Sequence, residues 1–248
     1  MVFSSMVFLW LFLPAVLVTY YICPQKGKNL LLVAFSLLFY AWGEPKYIVL
    51  MILSVTVNYI SGLLLERCPQ GEEGKRDKKR VLFGCVAVNL LLLGYFKYFN
   101  FVVQAVNGLW TFFGGAGTLA NFREIALPIG ISFYTFQALS YVVDVYRGET
   151  QVQKSYINML LYVSFFPQLI AGPIVKYHDI AMQMDRRYVD VDKFVYGIRR
   201  FICGLGKKVL LSNTFAEVVD QVYGKDLTEV ASSLLWLTAL LYMLQIYF

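Results

Sequence analysis

The chain has 248 residues, 58% of them apolar, 17% aromatic and only 15% charged, whereas a soluble domain is roughly 45–50% apolar and ~25% charged. That balance excludes an ordinary soluble domain and points to a polytopic membrane protein, with 18 Tyr and four Trp suited to the membrane–water interfaces. The net charge of +6 does not read as nucleic-acid binding. The basic residues lie in short loops between apolar runs, where membrane lipid headgroups and topology signalling account for them.

No Lys or Arg precedes the first apolar run, Ser4–Ile22, so it lacks the charged n-region of a signal peptide. A turn at Cys23–Lys28 leads to Asn29–Trp42, short for a span, which reads as tilted or sunk beside its neighbours. Gly43-Glu44-Pro45-Lys46 breaks it, and Tyr47–Leu65 spans again. Residues 66–80 form a hydrophilic loop with six basic and four acidic side chains. Val81–Tyr98 and Phe99–Phe113 read as a pair turning around Lys97. A glycine-rich connection at 114–117 leads to Ile125–Val143, then to Tyr156–Ala171, Phe194–Val222 and Ala231–Phe248.

With the N-terminus outside, the loops at 23–28, 66–80, 114–124 and 173–193 are cytoplasmic. They hold thirteen Lys and Arg, against four at 43–46, 97 and 144–154, as the positive-inside tendency requires. In 193–211, Phe194, Ile198, Phe201, Ile202, Leu205 and Val209 share one helical arc, with Arg199, Arg200 and Lys207 on the other side. That is a helix lying in the cytoplasmic interface, or one packed on cytoplasmic loops. No repeat or linker divides residues 1–248.

The stretch FFPQLIAGPI, 165–174, places Pro167, Gln168, Gly172 and Pro173 inside an apolar run. Proline frees carbonyls, and in lipid such groups are tolerated only where protein or trapped water satisfies them. The segment therefore faces the interior of a bundle or a cavity. Tyr134, Gln137 and Tyr141 fall one turn apart and share a helix face; the residues read either as interhelical glue or as cavity lining. Asp144 and Arg147, three apart at a helix end, most simply pair with each other. Hydrolase and P-loop signatures are absent, and Gly204-Leu-Gly206-Lys207-Lys208 lacks the spacing of a phosphate loop. A single histidine, His178, and four scattered cysteines make no metal site.

Three blocks, LPIGISFYTFQALSYVVDVYRGE at 127–149, SFFPQLIAGPIVKY at 164–177 and GLGKKVLLSN at 204–213, together with FYAWGEPKY, resemble the membrane-bound O-acyltransferase family, most closely its bacterial polysaccharide branch. The resemblance covers essentially the whole chain. It implies an all-α transmembrane bundle around a membrane funnel, with short, tilted and interfacial helices, in the bacterial inner membrane. It implies acyl transfer, commonly acetyl, from acyl-CoA or an acyl-carrier protein to hydroxyls of an exported polysaccharide such as alginate, alongside secretion or acetylation partner proteins, with no bound cofactor. Tyr134, Gln137, Tyr141, Gln168, Gly172 and Pro173 are the candidates for the tunnel wall. The family's catalytic histidine follows a segment that would begin at Leu244–Phe248, and His178 does not occupy its position. The chain is thus expected to be the N-terminal part of one acyltransferase domain, inactive by itself. A transporter or channel subunit with broken helices lining a permeation path is the alternative.

Overall fold

The computed structural model describes residues 3–69, 71–114, 124–169, 175–185, 187, 190–225 and 230–248. Among them every regular element is helical. The chain divides into two compact units, one of Met1 with Trp10–Arg186 and one of Val2–Leu9 with Arg187–Phe248.

In the first unit, helix α1 (Leu13–Ile22) follows without a break from a π-helical stretch, Phe8–Phe12, so Pro14 lies inside a continuous helical run and its missing N–H removes one bond there. Short 3₁₀ turns join it to α2 (Lys28–Gly43) and α2 to α3 (Ile48–Arg67). Helix α4 runs unbroken over 41 residues, Glu72–Phe112, about 60 Å at ~1.5 Å per residue. Helix α5 (Ile131–Arg147) is framed by Gly130 and Gly148, both left-handed with φ of 76° and 78°. Helix α6 (Tyr156–Ser164), N-capped by the Ser155 hydroxyl, ends in the 3₁₀ turn Phe166–Gln168, and α7 covers Tyr177–Asp185. Pro45–Arg67 and Glu72–Phe112 are long and apolar enough to cross a membrane, with mean hydropathy 2.2 and 1.7.

The side chains fix the directions. Phe12 packs on Phe39 while Tyr20 meets Lys28, so α1 and α2 are antiparallel. Tyr47 meets Phe96 and Asn58 meets Asn89, so α3 and α4 are antiparallel too. Helix α5 runs parallel to α3. At one end the Tyr47 hydroxyl donates to the Ala126 carbonyl at 2.9 Å and the Ile129 amide to Glu44 Oε2 at 2.8 Å. At the other, Lys154 Nζ lies 3.3 Å from Glu66 Oε1.

Two expectations are corrected here. There is no turn at Lys97: Asn100, past that point, stays helical, and its amide binds both polar groups of the Ile125 backbone at 2.8 and 3.0 Å. Removing that turn reverses the crossing of α5. Residues 125–130 lie at the end of 43–47, and 147–154 at the end of 66–72, opposite to the sequence assignment. The charge asymmetry sharpens. Among the described residues, Lys26, Lys28, Arg67, Lys75, Arg76, Lys78, Lys79, Arg80, Arg147 and Lys154 gather at one end, here the basic end, while Lys46 and Lys97 lie toward the other.

Nor does 156–171 form a span. Asn29, at the start of α2, donates both to Asn158 Oδ1 at 2.8 Å and to the Met184 carbonyl at 3.0 Å. Tyr177, at the start of α7, already accepts a hydrogen bond from Gln153 at 2.6 Å, so α6 enters a re-entrant hairpin at the basic end and the chain is back at that end where α7 begins. The hairpin turn is pinned by Phe166, which packs on Phe12 and Phe39 with ring centroids 5.4 and 5.6 Å away, and whose amide donates to the Ser36 hydroxyl at 3.2 Å.

The unit is apolar outside as well as in. Trp10, Val49 and Leu91 are more than 70% exposed, while Ser36, Ser54, Asn58, Asn89, Thr135 and Gln137 are buried. Water would penalise that arrangement, whereas lipid favours it.

In the second unit α8 (Val191–Lys207), capped by Asp190, passes through a π-helical stretch, Lys208–Ser212, into α9 (Asn213–Tyr223). Helix α10 (Ser232–Tyr247) packs on α9, and Ser212 Oγ donates to the Gln245 carbonyl at 2.9 Å. The apolar arc expected on α8 is present, with Phe194, Ile198, Phe201 and Ile202 all exposed.

Candidate functional site

Polar side chains converge where the hairpin meets α5. Gly130 lets the chain enter α5 so closely that a Cβ there would sit 2.7 Å from the Leu169 carbonyl oxygen. Tyr134, Gln137 and Tyr141 then follow on the buried face, exposed by 0%, 4% and 0%. Gln137 Nε2 donates to the Tyr162 carbonyl at 2.8 Å and to Gln168 Oε1 at 3.3 Å. The structure thus brings Gln137 and Gln168 together across the helix–hairpin contact. The Gln168 side-chain oxygen acts there as an acceptor. Gly172 and Pro173 lie outside the described residues.

Tyr141 is held on three sides. Its hydroxyl accepts the Gln153 amide at 3.0 Å, its ring packs on Tyr177 at 5.0 Å, and Gly62 of α3 supplies the space beside its hydroxyl. Tyr177 in turn packs on Tyr162 at 5.2 Å, and Gln153 Nε2 donates to its hydroxyl at 2.6 Å. The Tyr162 hydroxyl donates to the Val175 carbonyl at 2.9 Å. Tyr162, Tyr177 and Gln153 were not singled out in the sequence. A tyrosine inside the apolar run MLLYVS was the available signal, because a hydroxyl buried there must find a partner.

Three buried hydroxyls in this region, those of Tyr134, Thr135 and Ser164, have no hydrogen-bond partner among the described residues. Orphaned hydroxyls of this kind are costly unless water or a ligand meets them. The seam consists of uncharged amides and hydroxyls. It can orient a carbonyl or a hydroxyl by hydrogen bonding, and its described side chains include no carboxylate, imidazole, amine or thiol.

Asp144 and Arg147 do not pair. Asp144 points inward, with Oδ2 3.9 Å from His178 Nδ1, while Arg147 Nη1 points outward to Glu149 Oε1 at 3.9 Å. His178 Nε2 lies 2.8 Å from Asp179 Oδ1. No group of three or more His, Cys, Asp or Glu side chains among the described residues could hold a metal ion. A separate polar cleft of about 290 Å³ opens at the basic end, lined among others by Glu66, Lys78, Gln151 and Lys154; it lies away from the Gln137–Gln168 contact.

Residues 152–248 match the profile of MBOAT, the membrane-bound O-acyltransferase family. The whole chain is 40% identical to the probable alginate O-acetylase AlgI of Azotobacter vinelandii and 42% identical to that of Pseudomonas putida. It is 29% identical to the peptidoglycan O-acetyltransferase of Helicobacter pylori. These alignments take in 100% of this chain but 48%, 50% and 51% of the relatives, so the chain spans about half their length. No solved structure matches it.

Proposed function

We propose, on the premise that the chain belongs to the membrane-bound O-acyltransferase family, that it forms part of an enzyme transferring acetyl or another short acyl group to hydroxyls of an exported polysaccharide such as alginate. One observation carries the structural side of this reading. A re-entrant hairpin inside an apolar bundle holds the Gln168 carbonyl oxygen against the Gln137 amide. Irregular backbone at membrane depth is tolerated only against protein or a water-filled path.

In this reading the hairpin turn and the buried face of α5 form one wall of a membrane funnel. Tyr134, Gln137, Tyr141 and Gln168 present uncharged donors and acceptors along it. These suit an acyl carbonyl or a sugar hydroxyl, and they place no fixed charge beside a neutral reactant. The basic end faces the cytoplasm, where acyl-CoA or an acyl-carrier protein is the donor, and the N-terminal start of α1 lies outside. The protein is multi-pass in the bacterial inner membrane, with α8 in the interface and its basic face toward headgroups. The transporter alternative has no support among the similar proteins.

Gln168→Leu, made in the complete protein containing this chain, tests the wall. The lost bond is long, and Gln137 keeps its stronger one to Tyr162. The structural cost is therefore about 0.6 kcal/mol, the average for interhelical bonds in membranes. Acetyl incorporated per folded molecule should fall about tenfold while membrane yield stays near wild type. Unchanged specific activity would remove Gln168 from the wall; absence of any acyl transfer by the wild-type protein would refute the function itself.

A further inference from the structure

The cleft at the basic end is a different kind of place from the uncharged seam. Three elements build it: the C-terminal turn of α3 with Leu65 and Glu66, the charged first turns of α4 with Lys78, and the connection from α5 to α6 with Gln151 and Lys154. Its charges are unequal in their company. Lys154 is held at the rim by Glu66, 3.3 Å away. On α4, Lys75 pairs with Glu72 at 2.6 Å and Arg80 with Asp77 at 3.1 Å. Lys78 stands between those pairs, half-buried where Lys75 and Arg80 are exposed, and has no ion-pair partner among the described residues.

A partly desolvated ammonium without a counter-charge is unfavourable, and a compact, strongly hydrated cation of this type is suited to phosphate. Lys78 and Lys154 set against Glu66 leave one net positive charge in the cleft. Gln151 and Thr150 add neutral hydrogen-bonding groups beside it.

We propose that this cleft binds a phosphate group, with Lys78 as its principal cation. Two sources carry that chemistry: the headgroup of an anionic phospholipid, and the phosphates of a soluble nucleotide such as coenzyme A. The lipid source is independent of the acyl-transfer reading and the coenzyme A source rests on it, and the test reads occupancy of the cleft and not turnover, so either can fail alone.

Binding of phosphatidylglycerol, phosphatidylcholine and coenzyme A to the purified full chain in detergent, by native mass spectrometry or thermophoresis, tests it. The variants are Lys78→Gln and, as an exposed control on the same helix, Lys75→Gln. Lys78→Gln should lose about tenfold in affinity for at least one anionic ligand, with Lys75→Gln unchanged. Loss for phosphatidylglycerol alone makes the ligand a lipid, and loss for coenzyme A alone makes it soluble. Loss for both marks one site open to either. No binding of either anion, equal binding by all variants, or phosphatidylcholine binding as tight as phosphatidylglycerol would overturn the proposal. Should Lys78→Gln fail to fold, Lys154→Gln is read against the same control and by the same criteria.

Discussion

Gly62→Ala probes the contact that places Tyr141. A methyl group at residue 62 would lie 2.6 Å from the Tyr141 hydroxyl oxygen, 3.0 Å from Cε1 and 3.2 Å from Cζ. Tyr141 cannot swing away cheaply, because it is fully buried, packs on Tyr177 and accepts the Gln153 amide. Overpacking of this kind costs about 1–3 kcal/mol. Losing the Gln153 bond adds about 1 kcal/mol. Exchanging glycine for alanine within a helix returns about 1 kcal/mol. The expected net loss is therefore about 2 kcal/mol, against the gain that helix propensity alone predicts. Reversible unfolding in mixed detergent and dodecyl sulfate micelles measures it. Repeating the substitution on a Tyr141→Phe background, which removes the atom of closest approach, should cut its cost by at least about 1 kcal/mol. The reasoning fails if Gly62→Ala is as stable as wild type, or if it costs the same in both backgrounds.

The other predictions concern the same unit. Gly130→Ala combines a left-handed φ with a Cβ 2.7 Å from a backbone carbonyl, so it should destabilise by about 2–4 kcal/mol; a loss under about 1 kcal/mol would mean the hairpin turn yields freely. Asn58 and Asn89 exchange amide hydrogen bonds at 3.0 and 3.3 Å and also bind the Ser54 and Cys85 carbonyls at 2.8 Å, so each Asn→Leu change should cost about 1–3 kcal/mol by removing buried partners. The double variant should cost less than the two together by about 1 kcal/mol, and strict additivity in the unfolding assay would deny the clamp. Cys68 and an introduced Thr150→Cys should react with an impermeant maleimide from the same side, in inverted but not right-side-out vesicles. Labelling from opposite sides would contradict the parallel course of α3 and α5.

The first crossings were legible because their boundaries are written in turn chemistry. Gly43-Glu44-Pro45-Lys46 stops α2 where expected and Cys68-Pro69 ends α3, but the charged run expected as loop to residue 80 is helical from Glu72. The error at Lys97 came from treating one charge as a break. Lysine can carry its ammonium to an interface while its stem stays on an apolar helix, and no proline or tight-turn pair accompanies it. One spurious turn was enough to invert the sidedness of α5 and of the connections at its two ends, while Tyr177–Asp185 lies at the end expected of 173–193. Asp144 was misread for another reason. Residues three apart on a helix are still ~60° apart around its axis, and here burial takes one inward while solvent takes the other. Its neighbour His178 lies 34 positions along the chain, reached only through a hairpin that local pattern cannot supply. The face of Tyr134, Gln137 and Tyr141 was legible by periodicity. That Gln168 meets it was not, since the meeting depends on Phe166 seating in a pocket made by α1 and α2.

The double hydrogen bond from Asn29 also sets a schedule for synthesis. Its acceptors, Asn158 and Met184, lie 129 and 155 residues further along the chain. At ribosomal rates of roughly 5–20 residues per second, α2 waits about 6–26 s after it is made before the first acceptor exists. Over that interval the Asn29 amide and the seat for Phe166 are open on helices already delivered to the membrane, and the first five helices must persist as a partly assembled bundle. Closure of the unit is then a late, nearly simultaneous event: as the hairpin docks, Asn29, Ser36 and Gln137 are all satisfied by one segment. A slow codon stretch or an insertion factor acting before residue 184 would lengthen the life of that open intermediate without altering a single contact of the finished fold.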